Sequence, residues 1–144
     1  KASLAQLPLK KIKMNTILII ANGLVFLTFL AHTFGGDIEY QEIEPHADSP
    51  SRLRVFWTMG RGAFHIVSID FLFATIGLSL INFTDYFKET KLLLDLLALY
   101  FLGYGIAFLL ALIISKKFPN IYLKMWQWLL MLIISGLIYW GNSY

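Results

Sequence analysis

This sequence predicts an all-α fold, an integral membrane antiparallel four-helix bundle, and three observations lead there. Four long apolar runs, about 15–34, 62–84, 92–115 and 121–141, fill most of the 144 residues. About 20 mostly apolar residues suffice to carry a helix across roughly 30 Å of hydrocarbon. Hydrophobic residues make up 58% of the chain and charged ones 15%, against about 45–50% and about 25% in soluble proteins. Apart from Asp70, the charges are also segregated into 1–13, 37–61, 85–95 and 116–124, at the flanks of the runs. Little chain remains for a soluble module, so residues 1–144 read as a single transmembrane domain with a polar loop between helices 1 and 2.

Residues 1–13, KASLAQLPLKKIK, are basic and unlike the rest of the chain. They read either as a cytoplasmic flank or as sequence ahead of a start at Met14, and both readings stay open. A signal peptide fits less well, because the apolar run is longer than the usual 7–15 residues and no small-x-small cleavage site precedes the polar loop. Helix 1 is therefore expected to be retained over roughly Asn15–Thr33. Asn22 falls mid-membrane, where a polar amide is expected to hydrogen-bond across helices. Gly35 and Gly36 are expected to end the helix with a left-handed cap.

Helix 2 is expected over about Ala63–Phe83. Before it, SRLRVFWTMGRG reads as an interfacial segment with snorkelling arginines, either running straight on or bending at Gly60 and Gly62. Asp70 lies within the apolar run and shares a face with Ala74 and Gly77. An ionisable residue at such a place is expected to face the bundle interior and to find a partner; Arg61, a tyrosine or a backbone amide would serve. The short polar connection 84–91 predicts that helices 2 and 3 are antiparallel neighbours. In helix 3, Asp95 is expected in the first turn, stabilised by the helix dipole and by Lys91. Gly103, Ala107 and Ala111 form a small-xxx-small ridge for helix contact. Pro119 is expected to stop this helix. Helix 4 carries aromatic residues at both ends and reads as a packing helix.

The stretch Ala31–Asp70 holds all three histidines, all three arginines and six of the nine acidic residues. If helix 1 ends where helix 2 begins, His32 and His65 lie at similar depth on one side, with Asp37 and Glu39 in reach. These four are the candidate ligand or metal residues, and Asn22 and Asp70 are the intramembrane polar candidates. Neutral imidazoles with carboxylates suit zinc, iron or copper, and two histidines on neighbouring helices suit axial ligation of haem. The same residues suit a His–carboxylate pair that handles protons or binds a small ligand, or a purely structural role. No catalytic residue is nominated. Ser68 stands three residues from His65 without a third, orienting group, and Gly60-Arg61-Gly62 lacks the strand that a phosphate-binding loop requires. The absence of cysteine excludes thiolate nucleophiles, disulfide exchange and cysteine-held iron–sulfur clusters.

His32-x-x-Gly35-Gly36 with Asp37 after it, and Arg61-x-x-Phe64-His65 with Ser68, resemble the motifs of an uncharacterised family of small bacterial four-helix inner-membrane proteins. There the pattern is a histidine, Gly-Gly or Gly-Glu, a short loop, and an Arg…Trp-His…Ser/Thr helix start. This chain has Phe64 where tryptophan is more usual, and a longer, more acidic loop. The resemblance spans about residues 17–84. It implies four helices and importance for His32 and His65, and no activity.

The expected function is therefore that of a small polytopic membrane protein. It would act as a non-catalytic accessory or assembly subunit, or as a small-ligand-binding protein with a His/carboxylate site at one membrane face. The rival is a metal- or haem-dependent redox protein using His32 and His65. The cofactor is unknown, the partners are the lipid bilayer and other membrane subunits, and a net charge of +3 gives no case for nucleic acid. The expected location is a bacterial cytoplasmic membrane. With the tail, six Lys/Arg flank each side; from Met14 the count is two against six. A Met14 start would reverse the preference, whereas with the tail as written first-helix flanks favour an inside N-terminus.

Overall fold

A computed structural model describes residues 15–115 and 119–144, and all their regular structure is helical. The basic tail 1–13, Lys116 and Lys117 lie outside the described residues. Helix α1, Thr16–Leu30, opens at Asn15, whose side-chain oxygen accepts from the amides of Ile17 and Leu18 at 3.1 and 3.3 Å. This is the usual asparagine cap, satisfying amides that have no partner within the helix. The Asn15 amide also donates to the Gly141 carbonyl at 2.7 Å, tying the start of α1 to the end of the chain.

The chain does not leave the helix at Gly35-Gly36. A π-helical turn, Ala31–Gly36, leads directly into α2, Asp37–Glu42. Both glycines lie within helix, and no described glycine has a positive φ. The expected left-handed cap is thus corrected, and the loop shrinks to about residues 43–50. Glycine has a poor helical propensity of about 1 kcal/mol relative to alanine, yet here the absence of a side chain is what the neighbouring helix requires. A Cβ on Gly36 would collide with the Phe64 ring.

Helix α3 is continuous from Ser51 to Phe83, with Pro50 at its cap. The arginine-rich segment and the expected helix 2 are therefore one helix, about 50 Å long by its 33 residues, uninterrupted at Gly60 and Gly62. Helix α4 runs Lys91–Ile114, so Asp95 stands beyond its first turn. Its partners are Lys91 Nζ at 3.3 Å and the Asn142 amide at 2.6 Å, and the helix-dipole role gives way to these contacts. After Asn120, in left-handed backbone at φ 59°, the expected fourth span divides into α5, Ile121–Lys124, and α6, Gln127–Ser143. The break falls at Met125 and Trp126, and the Trp128 indole donates to the Tyr122 carbonyl across it at 3.0 Å.

Three helical stretches, Thr16–Glu42, Ser51–Phe83 and Lys91–Ile114, are long and apolar enough to cross a membrane. Much of their large apolar surface points outward: Ile20, Leu27, Ile66, Phe73, Leu99 and Ile113 are among the exposed residues. Helix α6, with 17 residues, is about 25 Å long.

Helix α1 lies between α3 and α6, and α4 lies along α6. The core draws on all four: Leu18, Ala21 and Val25; Phe71, Ala74 and Leu78; Leu94, Ala98 and Phe101; Met131, Ile134 and Ile138. The buried Ser135 hydroxyl donates to the Ala98 carbonyl at 2.7 Å and fixes α6 against α4. Close backbone packing between α3 and α4 is absent from the main helix contacts, against the expectation from their short connection. Aromatic side chains bridge them instead, Phe71 stacking with Phe101 at 6.2 Å and meeting Tyr104 edge-on at 6.3 Å.

The expected ridge Gly103, Ala107 and Ala111 points away from this core, since all three residues are exposed. The close approach uses Gly105, where a Cβ would lie 2.7 Å from Leu132 Cδ2 and 3.0 Å from the Trp128 carbonyl. Gly105→Leu should therefore cost about 1–3 kcal/mol by overpacking. Gly103→Leu, in open space, should leave the thermal midpoint in detergent nearly unchanged. Equal midpoints for the two variants would refute this assignment of the packed face.

Candidate functional site

The end of α1 and the middle of α3 meet in a cluster of aromatic and charged side chains. On α3 the participants are Trp57, Arg61, Phe64, His65 and Ser68. Their spacing of three or four places them along one stripe, the one turned towards α1 and α2. The π-helical turn supplies His32 and α2 supplies Asp37, Tyr40 and Gln41. A π-helical insertion widens the helix and re-aims the residues beyond it, and such turns are frequent at functional sites.

Asp37 is the hub. Its Oδ1 accepts from Arg61 Nε at 2.8 Å, and its Oδ2 from Arg61 Nη2 at 3.0 Å, a two-pronged ion pair. His65 Nε2 lies 3.0 Å from the same Oδ1, and the Gln41 amide donates to Oδ2 at 2.7 Å. Both carboxylate oxygens are thereby occupied twice. The paired fork geometry is specific to arginine.

Around the ion pair, aromatic rings close the gap between the helices. The Arg61 guanidinium lies over the Trp57 ring at 5.4 Å, and the Trp57 indole donates to the Tyr40 carbonyl at 3.2 Å. Tyr40 approaches Trp57 at 6.0 Å and Phe64 at 5.6 Å. Gly60 is required here, because a Cβ would strike the Tyr40 hydroxyl.

His32 stacks on Phe64 with ring centroids 3.7 Å apart, and its Nδ1 lies 3.0 Å from the Ser68 hydroxyl. Phe71 meets it edge-on at 5.4 Å. This serine–histidine contact has no orienting acid: Asp37 is engaged with His65, and no described carboxylate bonds to His32. Ser68 is 3% exposed. A hydrolytic triad needs the orienting acid and an accessible nucleophile, and the cluster provides neither.

The structure thus brings together His32, His65 and Asp37 but gives the two imidazoles different partners. Phe64 contacts both rings, flat against His32 and edge-on to His65 at 5.8 Å. His65 turns towards Asp37 of α2 while its side chain remains 42% exposed. Glu39 is exposed and makes no hydrogen bond or ion pair among the described residues. Nor do any three His, Asp or Glu side chains among the described residues gather into a group that could hold a metal ion.

Deeper in the molecule, the Asn22 amide donates to the Ser79 hydroxyl at 2.9 Å, joining α1 to α3. Asp70 is half-buried and accepts from the Tyr104 hydroxyl at 2.6 Å, joining α3 to α4. Sequence reasoning had no means to nominate Gln41, Tyr40 or Ser79. Their signal, a contact with a residue on another helix, exists only once the helices are set side by side. Comparison with known proteins returns no matching family model, no matching curated protein and no matching solved structure.

The Asp37–Arg61 pair should behave as one unit. Asp37→Ala and Arg61→Ala should each lower the thermal midpoint in detergent. The double variant should fall by less than the sum of the two, because either change alone already breaks the pair. Strict additivity would show that the pair does not couple α2 to α3.

Proposed function

We propose that the chain is an antiparallel four-helix bundle of a bacterial cytoplasmic membrane that works as a non-catalytic accessory or assembly subunit. The observation that carries this reading is the closure of the polar cluster upon itself. Asp37, the most heavily engaged acid, directs all its described contacts to Arg61, His65 and Gln41 of its own chain. Such a cluster locks two helices together and leaves no group poised for acid–base or nucleophilic work. Support for a fourth span comes from α6, which shares the core of the three longer helices. Exposed Trp126 precedes it and exposed Tyr139 and Trp140 stand near its C-terminal end, as aromatic residues do at membrane surfaces. The inside placement of the N-terminus rests on the basic tail, and it puts the loop 43–50 at the outer face.

A second reading, binding of a small polar ligand, has one observation in its favour. The Thr33 hydroxyl, in the π-helical turn beside His32, is buried without a hydrogen-bond partner. Such oxygens are rare and call for a bound water or ligand.

Two measurements test the proposal. Gently purified protein should show no Soret band and only substoichiometric transition metal. A Soret band or a stoichiometric metal would establish the redox alternative through His32 and His65. Reporter fusions at Tyr144 and within the loop 43–50 should fall on opposite sides of the membrane, with the C-terminus cytoplasmic. Both on one side would rule out four spans.

A further inference from the structure

We propose that the outer edge formed by α3 and α4 docks a transmembrane helix of another membrane protein, one bearing a lysine or arginine at the depth of Asp70. The proposal rests on the accessory-subunit reading and specifies its partner. Asp70 and Tyr104 each lie about 20 Å along their helices from the α3–α4 connection, well inside a hydrocarbon layer roughly 30 Å thick. An acid at such a depth is stabilised by a paired cation, and none pairs with Asp70 among the described residues. Among the described residues, the ion pairs made by its cations go to Asp37 and Asp95. Among the described residues the groups that interact with the Asp70 carboxyl are phenols, Tyr104 bonding its Oδ2 and Tyr100 close behind, and none is a cation.

The polar chain continues outward. The Tyr100 and Tyr104 hydroxyls are 2.8 Å apart, and Tyr100 is 42% exposed. The carboxyl is therefore linked to a phenol at the outer surface, on a side of the molecule where α3 and α4 meet through side chains rather than backbone. The adjacent face of α4 presents Gly103, Ala107 and Ala111, all exposed, with nothing within 4 Å of a Cβ built on Gly103. Small residues permit close helix approach in lipid. A carboxyl with no cation beside it among the described residues, next to a face that admits a helix backbone, fits a partner helix that brings one.

The test uses the full chain in phosphatidylcholine vesicles with fluorescent single-span leucine-rich peptides that carry Lys, Leu or Asp at their centre. Energy transfer between labelled protein and peptide reads binding. The lysine peptide should bind at least about tenfold more tightly than either control. Asp70→Asn should erase that preference, and Gly103→Leu should weaken binding of the lysine peptide by a similar factor. Equal binding of the three peptides, or a lysine preference that survives Asp70→Asn, overturns the proposal. If Asp70→Asn does not fold, unimpaired lysine-peptide binding by Gly103→Leu overturns it alone. Energy transfer between two labelled copies of the protein, abolished by Gly103→Leu, would instead assign the face to a second copy and also overturn it. The accessory-subunit reading fails on haem or stoichiometric metal, which these peptide measurements do not detect.

Discussion

The two-pronged Asp37–Arg61 ion pair is the constraint on which the upper part of the molecule depends. A fork of two parallel hydrogen bonds forms only when the carboxylate and guanidinium planes align, so the pair fixes both the rotation and the register of α2 against α3. Once that register is set, Gly36 must face Phe64 and Gly60 must face Tyr40. Side chains at either glycine would force the helices apart and break the pair. The π-helical turn fits the same requirement. It inserts extra backbone between Leu30 and Asp37, turning Asp37 towards Arg61 while leaving α1 seated against α3 and α6 below. His32 then has the Phe64 ring on one face and Ser68 at its Nδ1.

The helices themselves were legible because four long apolar runs stand out in the chain, and three of them lie in helices long and apolar enough to cross a membrane. Their ends were not, for a reason that differs in each case. At Gly35-Gly36, local preference favours a stop, but packing against Phe64 keeps the chain helical. At Ser51–Gly62 the charge suggests a separate segment, yet nothing in the backbone interrupts it: Pro50 precedes the helix, and neither Gly60 nor Gly62 has to leave helical geometry. The ridge of Gly103, Ala107 and Ala111 has the spacing of a packing face, and so does the stripe Leu94, Ala98, Phe101 and Gly105. Spacing alone cannot choose between them; the position of α6 does.

The pairing of charges could have been resolved further from the sequence. Arg61 and Asp70 are separated by about two and a half helical turns, which sets them on opposite faces of α3. They cannot pair within one helix, and α3 runs through both without interruption. Arg61 is then free for the acid at the end of α1, and Asp70 for a donor on α4. The identity of that donor was within reach as well, because Tyr100 and Tyr104 are the polar side chains in the middle of α4. What the sequence lacks is the distance between α3 and α4, which decides that a long phenol rather than a short hydroxyl makes the bond.

Polar contacts recur along the α1–α3 seam, at His32–Ser68, at Asn22–Ser79 and where the Asn82 amide donates to the Leu18 carbonyl at 3.1 Å. A seam of this kind would suggest a route for protons or ions if it were continuous. Between Ser68 and Ser79, however, the helix advances about 16 Å, and the interval is filled by Val25, Phe71, Ala74 and Leu78. Val25 and Leu78 are fully buried, so no water file fits between them. The upper contacts belong to the clamp around Asp37. The lower ones, which leave the side-chain oxygens of Asn22 and Asn82 buried and unpartnered, anchor the opposite end of the same two helices. Two polar anchors separated by a dry core hold α1 and α3 in register at both ends. They fasten α1 to α3, whereas Asp70, on another face of α3, turns to Tyr104 of α4.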